Sequence, residues 1–319
     1  MGIGVLCGLL AGAMWGIVFV APAYLAAFTP LQLTVGRYLA YGAIALVLLG
    51  PRLRTLLASL SRADLYALAR HALAGNLVYY VLLAYGVQYA GVAPTSLIVG
   101  MVPLVVTLLG RHDHGAVPLR RMLAPLLLVA VGIACINIDT FMHAPPDASG
   151  IAIAIAGGVL CATGALLCWS WYALDNARYL KNNPRFGSGE WSALYGLATG
   201  VLSLALAPFA FWDAGGPVAG ERDWTVFWAC NALLALGASV VGNHFWNVAS
   251  RRVPVTLTGQ LILFETLFAL LYGCIYRGAG PRPLELAAIA LLIAGVAWSV
   301  RLHGAVGNDK IISPDAELH

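Results

Sequence analysis

Ten apolar runs of about twenty residues, separated by short polar breaks, account for nearly all of this chain. A helix of that length spans the ~30 Å hydrocarbon core of a bilayer, and buried polar backbone leaves few alternatives there. The runs lie at approximately 3–21, 30–50, 65–88, 92–110, 121–138, 151–172, 190–212, 224–248, 254–276 and 285–303. Only 10% of the residues are charged and 61% are hydrophobic, against about 25% charged in soluble domains, so a water-soluble fold is excluded. The runs are continuous rather than alternating with a period of two, which excludes an outer-membrane barrel. What remains is an all-α integral membrane protein. The breaks carry helix-stopping residues: Ala21-Pro22, Thr29-Pro30, Gly50-Pro51, Val117-Pro118, Ala144-Pro145-Pro146, Gly215-Gly216-Pro217 and Gly280-Pro281.

The six cysteines all fall inside apolar runs and show no metal-ligand spacing, so they read as small core residues. The net charge of +4 implies no nucleic acid, because in a membrane protein the placement of basic residues matters more than their sum. With the N-terminus inside, fourteen of the eighteen Lys and Arg residues collect on one side of the membrane, which places both termini in the cytoplasm. Tyr24, Trp212, Trp224 and Tyr276 at one boundary, and Tyr66, Tyr179 and Trp191 at the other, are expected as interfacial aromatic belts.

The chain also resembles itself. A shift of 163 lays Ala93-Pro94-Thr95 to Val105 on Thr256-Leu257-Thr258 to Phe268, and a shift of 154 lays Trp15 on Trp169. Each half holds five spans, an odd number, so the second half enters the membrane from the opposite side. The expected organisation is an N-terminal five-helix repeat over 1–145, an inverted C-terminal repeat over 146–303, and a polar, disordered cytoplasmic tail over 304–319. Under that topology Trp15 and Trp169 fall in opposite leaflets, as do the pair Tyr79/Tyr80 and Trp246, forming inner and outer constrictions.

Ala13-Met14-Trp15-Gly16, Gly36-Arg37-Tyr38, Gly91-Val92-Ala93-Pro94-Thr95 and Pro103 in the first half resemble the ten-helix drug/metabolite transporter superfamily, the EamA-like proteins. Trp246-Asn247, Arg251-Arg252-Val253-Pro254 and Phe264-Glu265 extend the resemblance through the second half. Within the superfamily the pattern is most similar to the aromatic amino-acid exporters of the YddG type. Where many members have Glu-Pro, this chain has Glu265-Thr266, so a role for that proline does not carry over. The resemblance implies an inner-membrane exporter without cofactor or bound metal.

Glu265 is the most informative residue by its own chemistry. It lies about ten residues, or roughly 15 Å, from either end of its run, beyond the reach of snorkelling. A carboxylate there costs roughly 2.5–3.5 kcal/mol even on the lenient insertion scale, so it must face a polar cavity, be paired, or be protonated. It either locks neighbouring helices by a hydrogen bond or serves a substrate amine or a coupling proton. Ser239, Asn243 and Asn247 share one helical face at i, i+4 and i+8, with His244 beside them; Asn76, Tyr79 and Tyr80 form a second polar and aromatic face. Each set serves either interhelical hydrogen bonding or a hydrated cavity. Trp15, Trp169 and Trp246 either line the path or face lipid and core.

Arg37 lies seven residues inside its span, compatible with an outward-snorkelling anchor or with a cavity cation. Gly4, Gly8, Gly12 and Gly16 make a small-xxx-small stripe for close helix packing. His112-Asp113-His114 lacks a further spaced ligand and reads as a solvated turn. No Gly-x-Ser-x-Gly, HExxH or paired intramembrane aspartate supports an enzyme. Phosphorylated substrates call for several cavity cations, and only Arg37 is available.

The substrate expected is a small molecule, an amino acid with aromatic ones favoured, exported across the lipid bilayer by alternating access, with protons as a candidate coupling ion. A multidrug or cation exporter and, in another class, a passive channel or structural membrane protein are the alternatives.

Overall fold

The computed structural model describes residues 2–19, 24–25, 27–90, 95, 98–113, 116–142, 152–212 and 222–312. Among them there are helices and no strands: α1 (Gly2–Gly16), α2 (Pro30–Leu49), α3 (Leu53–Ser59), α4 (Arg62–His71), α5 (Val78–Ala90), α6 (Val102–Leu109), α7 (Leu119–Met142), α8 (Ala152–Asn182), α9 (Ser188–Phe211), α10 (Trp224–Leu234), α11 (Asn243–Arg252), α12 (Val255–Leu261), α13 (Leu263–Arg277) and α14 (Pro283–Ile312). Two widened π-helical segments join neighbours into continuous rods, Ala72–Leu77 between α4 and α5 and Ala235–Gly242 between α10 and α11.

Among the described residues, eight stretches are long and apolar enough to cross a bilayer: Pro30–Leu49, Arg62–Gly86, Leu119–Ile136, Ile155–Asn182, Ser188–Phe211, Trp224–Arg252, Val255–Ile275 and Pro283–His303. Gly2–Gly16 is apolar but shorter, and of the expected fourth span the described helix is α6. The breaks at Ala21-Pro22, Ala144-Pro145-Pro146 and Gly215-Gly216-Pro217, the segment Gly91–Pro94 and His114 lie outside the described residues.

Local chemistry sets the helix starts. Thr29 caps α2 by accepting from Gln32 N while the Gln32 side chain accepts from Thr29 N, with Pro30 at the first helical position. Ser61 and Asp64 cap α4 in the same reciprocal way. Two expected limits are corrected. α8 continues past 172 to Asn182, because no breaker intervenes before Pro184. α14 continues past the expected end of the tenth span at 303 to Ile312, the next proline being Pro314, and the rest of the expected tail lies outside the described residues.

α2 packs chiefly on α9, α7 on α14, α5 on α8, and α1 on α11 and α13. The α2–α9 crossing is reciprocal: a Cβ on Gly42 would stand 2.6 Å from Gly200 Cα, and one on Gly200 would stand 2.5 Å from Gly42 Cα. Backbones this close exclude any side chain at either position. The α1 stripe seats on the ninth apolar stretch, where a Cβ on Gly12 would stand 2.6 Å from Phe264 Cβ and 2.7 Å from Glu265 N. Gly12→Val is therefore expected to push α1 away from α13, at a cost on the order of 1–3 kcal/mol or more. Gly237→Ala, with nothing within 4 Å of the added carbon, is the control. Thermal unfolding in detergent should show a lowered midpoint for the first and none for the second.

Candidate functional site

The interior of the bundle is aromatic. Trp15, Trp169 and Trp246 form one cluster, with ring centroids 6.0, 5.2 and 5.8 Å apart, and each is 9% exposed or less. This corrects the expectation that Trp15 and Trp169 occupy opposite leaflets. The reason is the length of α8: Trp169 sits near the middle of a helix that ends at Asn182, not near the end of one that stops at 172. Trp15 is fixed by donating Nε1–H to the Ala238 carbonyl, 2.9 Å, in the second π-helical segment. Widened turns of this kind recur at functional sites because they release backbone groups and re-aim side chains. Tyr79 extends the cluster, 6.5 Å from Trp169, and Tyr172 approaches Trp169 at 5.9 Å.

Two charged side chains face this interior. Arg37 is 7% exposed, so its alternatives resolve toward the inside of the protein rather than an outward anchor. Its Nε donates to Ser239 Oγ, 3.2 Å, and its guanidinium lies over the rings of Tyr38 and Tyr80, 5.2 and 5.5 Å from their centroids. Glu265 sits in the first turn of α13, just after the helix breaks at Ile262, with its N–H donating to Ile262 O. Arg37 and Tyr79 both lie within electrostatic reach of the Glu265 carboxylate. The Glu265 side chain is only partly buried.

The remaining expected residues divide. Asn243 joins the interior, donating from Nδ2 to Tyr41 Oη, 3.4 Å, which in turn donates to Ser192 O. Asn76 is spent on Thr199 Oγ1, 2.9 Å, and Asn247 accepts from Asn176 Nδ2, 3.1 Å, while Asn176 Oδ1 accepts from Trp191 Nε1. Both of these bonds run between helices. His244 departs from the cluster: it is exposed and stands over Gly189, in a 350 Å³ lateral pocket with Arg52, Glu190 and the apolar side chains of Leu48, Leu56 and Val240. One residue beyond Asn243 is about 100° around the helix, which turns the imidazole outward.

The end of the bundle richest in Lys and Arg is laced shut around the extension of α8. Asp64, 1% exposed, accepts from Tyr179 Oη and from Arg185 Nη2 at 2.5 and 2.6 Å. His71 Nε2 pairs with Asp175 Oδ2 at 2.6 Å, and Arg70 reaches the same oxygen at 2.7 Å. Arg178 binds Asp113 bidentately, so that residue of the His112-Asp113-His114 turn is structural. Lys181 Nζ donates to Val253 O. Trp191, expected in an interfacial belt, is instead 1% exposed and stacks on Tyr179 at 4.7 Å, whereas Tyr66 and Trp212 are exposed as a belt requires. Beyond the local Ser61–Asp64 cap, no spacing marks the pairings of Asp64, His71 and Asp175, because Tyr179 and Arg185 for Asp64, and His71 and Asp175 for each other, lie more than a hundred residues apart.

Comparison with known proteins adds to this geometry. Residues 2–138 and 156–301 each match the EamA-like transporter family. The chain is 36% identical over 311 residues to the inner membrane protein YtfF of Escherichia coli K12, covering 93% of this chain and 95% of that one. It is 24% identical over 234 residues to the aromatic amino acid exporter YddG of Ancylobacter novellus, covering 73% and 75%. A crystal structure superposes with a TM-score of 0.72 at 21% identity, covering 94% of this chain and 98% of the other, a likeness of fold.

Proposed function

Since the chain belongs to the EamA-like transporter family, and is thus a membrane transporter rather than an enzyme, we propose that it exports amino acids, aromatic ones foremost, from the cytoplasm across an inner membrane. The observation that carries this reading is the convergence of Trp15, Trp169, Trp246 and Tyr79 in the interior, with Tyr79 also facing Glu265. The indoles offer the faces an aromatic side chain stacks on, and Glu265 and Arg37 offer the polar contacts of its backbone groups. A buried Arg37 disfavours a purely cationic drug as substrate.

The transport cycle in this proposal is alternating access by ten helices arranged as two inverted repeats. Several features support it. The two π-helical segments begin 163 residues apart, at Ala72 and Ala235, the same shift that aligns the fourth and ninth spans. The Gly42–Gly200 crossing is reciprocal, as contacts at a two-fold axis must be. The pairing of α5 with α8 mirrors that of α1 with α11. The family matches the two halves separately. The Lys- and Arg-rich end is the cytoplasmic one in this arrangement, so the lacing around Asp64 and Asp175 closes the inner side. Glu265 is the candidate carrier of a coupling proton.

Counterflow into proteoliposomes tests the reading. Wild-type protein should exchange tryptophan, tyrosine and phenylalanine saturably and well above glycine or alanine. Absence of exchange for all three aromatic amino acids would refute it.

A further inference from the structure

Arg37 and Glu265 are opposite charges deep in the same bundle, close enough to act on one another, yet they form no ion pair, and among the described residues neither has a counter-ion in contact. A side chain at membrane depth is normally paired, because an isolated charge there is among the costliest features a protein can carry. Two such residues held apart need something between them whose charges are the reverse of theirs. Arg37 is held in place: Ser239 accepts from its Nε, the rings of Tyr38 and Tyr80 lie against its guanidinium, and among the described residues no carboxylate contacts it, which suits a planar, two-oxygen acceptor. Glu265 is partly buried and within electrostatic reach of Arg37 and Tyr79.

We propose that Arg37 is the receptor for the substrate α-carboxylate and Glu265 the receptor for its α-ammonium, so that the site is built for zwitterions and discriminates against molecules carrying only one of the two groups. This rests on the amino-acid reading above and sharpens it. It assigns Arg37 a role that composition and spacing left divided. It also explains why the guanidinium is clamped by tyrosine faces rather than by a carboxylate: a permanent anionic partner would compete with the substrate. Ser239 is then a positioning residue, acting through Arg37.

The test uses full-length protein in proteoliposomes and three probes of one shape: phenylalanine, phenethylamine without the carboxylate, and 3-phenylpropionate without the ammonium. Competition against labelled phenylalanine should rank phenylalanine at least about tenfold above either analogue for wild type. Arg37→Gln should lose the preference over phenethylamine while keeping that over 3-phenylpropionate, and Glu265→Gln should do the reverse. Ser239→Ala, which retains both charges, should weaken phenylalanine less than Arg37→Gln does, with the same pattern, and keeps the idea testable if Arg37→Gln fails to fold. Equal weakening of all three probes in both charge variants would overturn the proposal and assign the two residues to scaffold. Wild type that recognises none of the probes would instead overturn the amino-acid reading itself, and wild type that binds phenethylamine as well as phenylalanine would overturn the zwitterion receptor alone.

Discussion

Trp169→Ala is expected to lower stability by about 3–5 kcal/mol and to shift side-chain selectivity at the same time. Its indole is 8% exposed and meets four aromatic rings: Trp15 edge-on at 6.0 Å, Trp246 at 5.8 Å, Tyr172 at 5.9 Å and Tyr79 at 6.5 Å. Each such pair contributes about 0.5–1.5 kcal/mol beyond the area it buries. Deletion leaves two neighbours in different positions. Trp15 stays tied to the Ala238 carbonyl, whereas the Trp246 Nε1–H has no acceptor among the described residues and can follow the cavity. The enlarged interior should favour bulkier side chains, so the ratio of tryptophan to phenylalanine exchange should rise in Trp169→Ala. Trp169→Phe should restore most of the unfolding midpoint and the original ratio. A uniform loss for every substrate at matched protein levels would assign the indole to packing alone.

The apolar runs disclosed the helices because in a bilayer hydropathy and length are nearly the whole constraint. Glu265 was legible for the same reason: a carboxylate ten residues from either end of a run has no bland explanation that leaves it unpartnered. What the sequence could not supply was rotation and reach. Arg37 stood at a depth compatible with snorkelling, and its inward position shows only through its burial and its bond to Ser239 on another helix. Ser239, Asn243 and Asn247 do share a buried face, as their spacing implied, but Ser239 and Asn243 join the interior through Arg37 and Tyr41, while Asn247 is taken by Asn176. Hydrogen-bond partners set such outcomes, and they lie on other helices.

The tryptophan cluster shows a second kind of blindness. Trp15 and Trp169 align as repeat mates, and mates in inverted halves belong on opposite sides of the midplane unless both lie close to it. They meet because α8 overruns its hydrophobic stretch by most of three turns, which moves Trp169 toward the middle. That overrun is polar, Asp175 to Asn182, and hydropathy reads it as loop. The same overrun supplies Asp175, Arg178, Tyr179 and Lys181 to the closed end, so one misread boundary concealed both the indole contact and the lacing.

Asp64→Ala is the sharpest probe of that closed end, with an expected loss of about 2–4 kcal/mol. The carboxylate does two things at once. It completes the cap of α4, accepting from Ser61 N and Ser61 Oγ at 2.7 Å, and it receives Tyr179 from the last turns of α8 and Arg185 from the turn that follows. The cap alone is worth about 1 kcal/mol, and a charge-assisted hydrogen bond about 1.5–3 kcal/mol. Arg185 contributes less than its short distance suggests, since its side chain is 47% exposed and turns to water when released. Arg185→Ala is therefore expected to cost under about 1 kcal/mol. Tyr179→Phe should cost more, because it removes a hydrogen bond to a buried carboxylate that water does not replace, while keeping the ring on Trp191. Hydrogen exchange should quicken at residues 61–71 and 179–186 in Asp64→Ala, leaving α2 and α9 at their crossing unchanged. Exchange that rises evenly across the bundle would show that Asp64 supports the whole fold, and that the closed end is no separate unit able to open while the rest holds.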